Sequence, residues 1–110
     1  MFIAMNRFRI RRGGEETFET IWRERESHLE SVPGFLAFHL LRGPVEEDHA
    51  LYATHTQWID RAAFEAWTQS EAFRAAHANA GSAATREIYL GPPKFEGFEA
   101  LLEQKADLQG

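Results

Sequence analysis

Phe2–Ile10 reads FIAMNRFRI, and its alternation decides the fold class. In an extended chain Phe2, Ala4, Asn6, Phe8 and Ile10 fall on one side, and Ile3, Met5, Arg7 and Arg9 on the other. That is a strand with one face on a core. Gly13-Gly14 ends it, and the period changes at Glu15. Phe18, Ile21, Trp22, Arg25, Leu29 and Val32 recur at helical spacing, with Glu15 and Glu16 in the first turn, until Pro33-Gly34 breaks the pattern. Residues 35–41 read as a second strand, Gly43-Pro44 with Glu46-Glu47-Asp48 as a turn, and residues 51–58 (LYATHTQW) as a third strand. Asp60 is the expected N-cap of a helix over 61–67. A second helical segment is expected over 70–79, with Ser70 as a bend or a second N-cap. Residues 79–85 (NAGSAAT) read as a flexible loop. The last strand, 88–90 and 95–98, is interrupted at Gly91-Pro92-Pro93, so it must be an edge, bulged or split.

The order is β-α-β-β-α-β, an α+β fold of the split, ferredoxin-like arrangement. One domain over residues 1–102 and a polar tail over 103–110 are expected. Two helices cover one face of such a sheet. The other face would still carry apolar side chains (Phe, Leu or Tyr from the middle strands), and a second copy of the sheet is the expected cover. The sequence therefore predicts a homodimer whose two sheets form a barrel.

Composition narrows the function classes. The chain has 110 residues and a formal net charge of −5, with no basic stripe to neutralise phosphates, so nucleic-acid binding is not expected. The cluster Arg7, Arg9, Arg11 and Arg12 alternates with apolar residues, as on the solvent side of a strand or in salt bridges. The absence of cysteine rules out disulfides, thiolate metal sites and a thiol nucleophile. The first residues carry no signal-peptide pattern and no apolar run reaches membrane length, so a cytoplasmic location without membrane contact is expected.

Residues 64–77, FEAWTQSEAFRAAH, concentrate the candidates for chemistry. Phe73 and His77 are four apart and share a helical face. Small neighbours (Ala75, Ala76, Ala78, Ala80) would let a flat ligand approach His77, and Trp67 would wall it, although each of the two also reads as an ordinary surface histidine or core filler. Asn6 is an amide on an otherwise apolar stripe and must find a partner, either neighbouring backbone or a ligand. Trp22 and Trp58 are expected in the core. His28 is expected near a helix C-terminus, His49 in an acidic turn, and His39 and His55 facing one another on adjacent strands without a third metal ligand. No nucleophilic serine motif, phosphate loop, carboxylate dyad, or flavin or nicotinamide motif occurs.

Four features together resemble a known family: Asn6-Arg7 on the first strand, VPGF at 32–35, T-x-W at 56–58, and F-x-x-W-x-x-S-x-x-F-x-x-A-H at 64–77. From residue 2 to about residue 98 the chain resembles the haem-degrading monooxygenases of the IsdG-like family, within the antibiotic biosynthesis monooxygenase superfamily. The stretches LLRGP and LYATHT are most similar to the rhizobial-type haem oxygenases. The resemblance implies His77 as axial iron ligand, Trp67 as the residue that forces the macrocycle out of plane, and Asn6 as a hydrogen-bond donor on the oxygen side. It implies haem as both substrate and cofactor, O2 as co-substrate and an external electron donor or reductase. The haem propionates would need cations: Arg25 and Arg74 first, Arg23 and Arg86 second. A cofactor-independent quinol or phenol monooxygenase of the same fold and a non-enzymatic haem carrier are the alternatives.

Overall fold

A computed structural model describes residues 1–25, 28–70, 73 and 87–106. The described elements are β1 (Phe2–Ile10), α1 (Glu15–Arg23), a 3-10 turn at Leu29–Ser31, β2 (Phe35–Val45), β3 (Ala50–Trp58), α2 (Arg61–Thr68) and β4 (Lys94–Glu99). The strands form one antiparallel sheet in the order β2-β3-β1-β4. Both helices connect strands across the same face, which gives the expected ferredoxin-like α+β fold.

The alternation in Phe2–Ile10 sets the register. Phe2, Ala4, Phe8 and Ile10 are buried, while Arg7 and Arg9 are exposed and pair with Glu96 and Asp48. β3 repeats the pattern: Ala50, Tyr52, Thr54, Thr56 and Trp58 are buried against the helices. Two separate apolar clusters result. One, under α1, joins Phe8, Ile10, Phe18, Ala50, Tyr52 and Ile88. The other, under α2, joins Phe2, Ala4, Leu29 and Trp58, with Phe64 and Trp67 packed on it. Between them lies the register row Leu40–Thr54–Asn6–Phe95.

Two expectations need correction. The first helix stops at Arg23 and does not run to Val32. After Trp22 no apolar side chain follows until Leu29, and Leu29 belongs to the cluster under α2 while Trp22 packs beside the cluster under α1. His28, just before the 3-10 turn, is in the left-handed region at φ 56° instead of at a helix C-terminus. The second strand continues through Gly43-Pro44 to Val45, with register shifts that accommodate the proline, so that pair is not a turn. The uncovered face carries apolar side chains as expected, among them Ile3, Met5, Leu41, Leu51 and Phe98, while Tyr52 points to the helices.

Other details agree with the sequence. The Asp60 carboxylate accepts from the Ala63 amide at 2.8 Å and caps α2. The Ser70 hydroxyl accepts from the Phe73 amide at 3.2 Å, as a second N-cap would. The last strand is split: Tyr89 bridges to Ile10, and β4 proper begins only at Lys94. Gly34, at φ 83°, brings the chain against α2; a Cβ there would lie 2.5 Å from that of Ala63. The rest of the segment 70–79 and the loop 79–85, with His77 and Arg74, lie outside the described residues.

Candidate active site

The gap between the two clusters is a cavity of about 760 Å³, within the range of small-molecule sites. Its floor is the sheet at Asn6 and Phe8. Trp22 and Arg25, at and beyond the end of α1, form one side. Phe64, Trp67 and Thr68 of α2, with Phe73, form the other. The segment from Tyr89 through Pro92-Pro93 to Phe95 closes a third edge. The interrupted strand thus contributes a wall where a continuous one would have carried ladder pairs to β1.

Aromatic rings hold these walls in fixed orientations. Phe64 stacks on Phe95 with centroids 5.6 Å apart and planes 10° from parallel. Trp67 sits 5.3 Å from Trp58 and meets Phe73 edge-on at 4.8 Å. Trp22 meets Phe8 edge-on at 5.9 Å and stacks on Phe38. Such rings give a flat, largely apolar slot with few polar groups. Asn6 is half-buried in its floor, where its amide can both donate and accept. A recess of about 70 Å³ extends the slot past Asn6 towards Thr54 and Thr56. The Thr56 hydroxyl is already used, donating to the Ala4 carbonyl at 3.2 Å.

The electrostatics of the slot are concentrated on the α1 side. The Arg25 guanidinium lies 4.4 Å over the Trp22 ring, a cation–π contact. Burial lowers its pKa, yet an arginine stays charged under any ordinary condition. Burial also raises the pKa of the Tyr89 phenol; the charge of Arg25 and the nearby Trp22 indole N–H partly offset this. The Trp22 N–H is buried and makes no hydrogen bond of normal geometry, although it lies close enough to the Tyr89 oxygen to affect it.

Of the sequence candidates, Asn6, Trp67, Phe73 and Arg25 line this one cavity. Trp58 is core, fully buried as expected. Trp22 is a correction: it is half-buried and forms a wall of the slot instead of filling the core. Arg23 is turned to Glu19, 3.3 Å away on its own helix, and does not line the slot. His39 and His55 do face one another, with ring centroids 5.8 Å apart, on the uncovered side of the sheet. No group of three or more His, Asp or Glu side chains that could hold a metal ion occurs among the described residues. Sequence reasoning missed Trp22, Tyr89 and the Pro92-Pro93 wall. The spacing of Trp22 and Arg25, three apart on one helical stripe, was the available signal: a face that carries an arginine is not simply core.

Comparison with known proteins gives the same picture. Residues 1–79 match the family model described as antibiotic biosynthesis monooxygenase. A heme-degrading monooxygenase of Shouchella clausii (strain KSM-K16) is 35% identical over 92 residues, covering 83% of this chain and 82% of that protein. Another, from Bacillus thuringiensis (strain Al Hakam), is 30% identical over 82 residues, covering 74% and 75%. Among solved structures, the heme-degrader MhuD of Mycobacterium tuberculosis, determined with two hemes in its active site, superposes with a TM-score of 0.74. Its identity is 28%, covering 96% of this chain and all of that one. With a matched family model over most of its length and relatives at this identity, the chain belongs to the antibiotic biosynthesis monooxygenase family.

Proposed function

We propose that this protein is a haem-degrading monooxygenase, with haem as its substrate. The observation that carries the reading is the flat aromatic slot with one amide in its floor and one arginine at its side. A planar macrocycle with carboxylate arms is a ligand that needs those features together: wide apolar walls, a single donor near its centre and a cation at its edge. The activity of the heme-degrading relatives supports the same reading.

The chain's residues divide the work as follows. His77, four residues beyond the wall residue Phe73 in the sequence, would hold the iron. Trp67, packed against Trp58 and Phe73, would press on the bound ring. The Asn6 amide, in the floor, would donate a hydrogen bond on the oxygen side of the ring. Arg25 and Arg74 bind the propionates. Haem itself supplies the iron that activates O2 and the carbon that is oxidised, and electrons come from an external donor. The stretches LLRGP and LYATHT along β2 and β3 support kinship with the rhizobial-type haem oxygenases. The uncovered face, with Leu41 40% and Phe98 46% exposed, supports a homodimer built sheet to sheet, and light scattering at low micromolar concentration will show a dimer mass. No helix among the described residues is long and apolar enough to cross a membrane, and a cytoplasmic site of action is part of this proposal.

Titration with haemin tests the reading. The expected result is a shifted Soret band that His77→Ala abolishes or moves. With ascorbate or a reductase under air, that band decays as the ring opens. No Soret shift, or one indifferent to His77→Ala, overturns the haem reading in favour of a cofactor-independent oxygenase. A band that survives reductant and air leaves only a haem carrier.

A further inference from the structure

We propose that His39, His55 and Met5 form a binding site for a cuprous ion on the uncovered face of the sheet. The aromatic slot lies on the other side of the same strands, and the proposal stands apart from the haem reading.

The strand register puts the three side chains in one row. His39 of β2 is directly opposite His55 of β3, and His55 is directly opposite Met5 of β1. Directly opposed residues of an antiparallel pair share a face, with Cβ atoms about 4.5–5.5 Å apart. The two imidazole rings lie 5.8 Å apart, centroid to centroid, with their planes 56° from parallel. An ion bound at about 2.0–2.1 Å from one nitrogen of each ring would hold the two rings roughly 5–6 Å apart. The pair therefore stands near chelating separation before any ion arrives. Among the described residues neither imidazole is taken up by a hydrogen bond or an ion pair, whereas His49 is held by Asp48 at 2.7 Å.

The third ligand is the thioether of Met5, which a search for His and acidic side chains alone passes over. Methionine is unbranched and has three rotatable bonds, so its sulfur can swing towards the ring pair. Glu96, the next member of the row on β4, is engaged by Arg7 and is not counted as a ligand. This ligand set selects the ion. A soft thioether favours copper(I), and imidazole suits copper as well, whereas magnesium and calcium call for oxygen ligands. Zinc could use the two imidazoles but would gain little from the thioether. His39 is exposed on β2, an edge strand of the sheet, which gives the ion a way in from the side. Three protein ligands satisfy a cuprous ion without water, so the site is compatible with a second sheet laid over this face. The chain has no cysteine, so no thiolate competes for the ion.

The test uses the full chain under nitrogen, with Cu(I) supplied as its coloured bicinchoninate complex. Wild-type protein is expected to withdraw the copper and bleach the complex, and its melting temperature should rise with bound copper. His39→Ala and His55→Ala should each abolish the withdrawal. Met5→Leu keeps the apolar volume and removes the sulfur; Cu(I) affinity should fall at least about tenfold, since even a group that only supports a ligand is worth that much. Zinc affinity should be unchanged by Met5→Leu. His49→Ala should leave copper binding as it is. Thermal melts without metal report the folding of each variant. No withdrawal by the wild type, or withdrawal that survives either substitution of the pair, overturns the site. Loss in His49→Ala places the copper elsewhere and overturns it too. A Met5→Leu protein that binds copper as tightly as wild type, or loses zinc and copper equally, overturns the thioether as a ligand and with it the selection of copper.

Discussion

The two ends of the layer between sheet and helices are built from similar residues and do different things. Under α1, Phe18 is fully buried, and Ile10, Tyr52 and Ile88 pack around it. The helix is then tied to the sheet from outside, where the Glu19 carboxylate accepts from the Tyr52 hydroxyl and from Arg42, at 2.8 Å in the latter case. Under α2 the helix buries none of its own residues completely. Phe64 and Trp67 cover Trp58 with one edge and line the cavity with the other. One helix is thus a lid sealed on a core. The other is half of a slot, with Phe64 and Trp67 among its walls. An aromatic helix reads alike in sequence in both cases; the difference lies in whether the opposite wall closes on it.

That contrast predicts unequal costs for similar truncations. Phe18→Ala empties a sealed site and should cost about 3–5 kcal/mol, read by urea denaturation. Phe64→Ala removes a ring that already borders open space, so its cost should be about half as large. Equal costs would mean that the α2 end is as much a core as the α1 end, and the division would fail. Trp67→Phe should leave stability within about 1.5 kcal/mol, because the smaller ring still covers Trp58. On the haem reading it should bind haemin and degrade it on the order of tenfold more slowly, a change of ~1.4 kcal/mol in the barrier. Unchanged turnover would show that pressure from Trp67 on the ring is not part of the mechanism.

The sequence made the first strand legible because period-two burial leaves a direct trace: Phe2–Ile10 alternates in the structure much as in the letters. It made Asn6 legible for the same reason, as an amide that breaks an apolar stripe. The extent of α1 was not legible. Trp22, Arg25, Leu29 and Val32 keep helical spacing, yet they serve two clusters, and only the tertiary arrangement separates the clusters. The same cause hid Trp22. A tryptophan on an apolar stripe reads as core unless the space beyond it is known to be empty, and that emptiness depends on where Tyr89 and Pro92 fall after a strand that breaks. The uncovered face was expected to keep apolar side chains from the middle strands, and Leu51 is one of them.

The smallest effect concerns the tie that marks the α1 end. Hydrogen bonds from Tyr52 and then Arg42 hold the Glu19 carboxyl below its ordinary pKa of 4.5. A carboxylate whose pKa is depressed by folding stabilises the native state above its unfolded pKa. The stabilisation is lost as pH falls through the lower, folded value. Arg42 is 67% exposed, so solvent screens its share of the tie. Glu19→Gln keeps an acceptor for Tyr52 but removes the charge. The melting temperatures of wild type and variant should therefore differ most near neutral pH and converge as pH drops below about 4.5. Asp48, also depressed through its bond to His49, titrates identically in both proteins and cancels from the difference. A gap that stays constant down to pH 3 would mean that shape, not the charge on Glu19, fastens α1. The α1 end would then differ from the α2 end only in how completely its aromatics are enclosed.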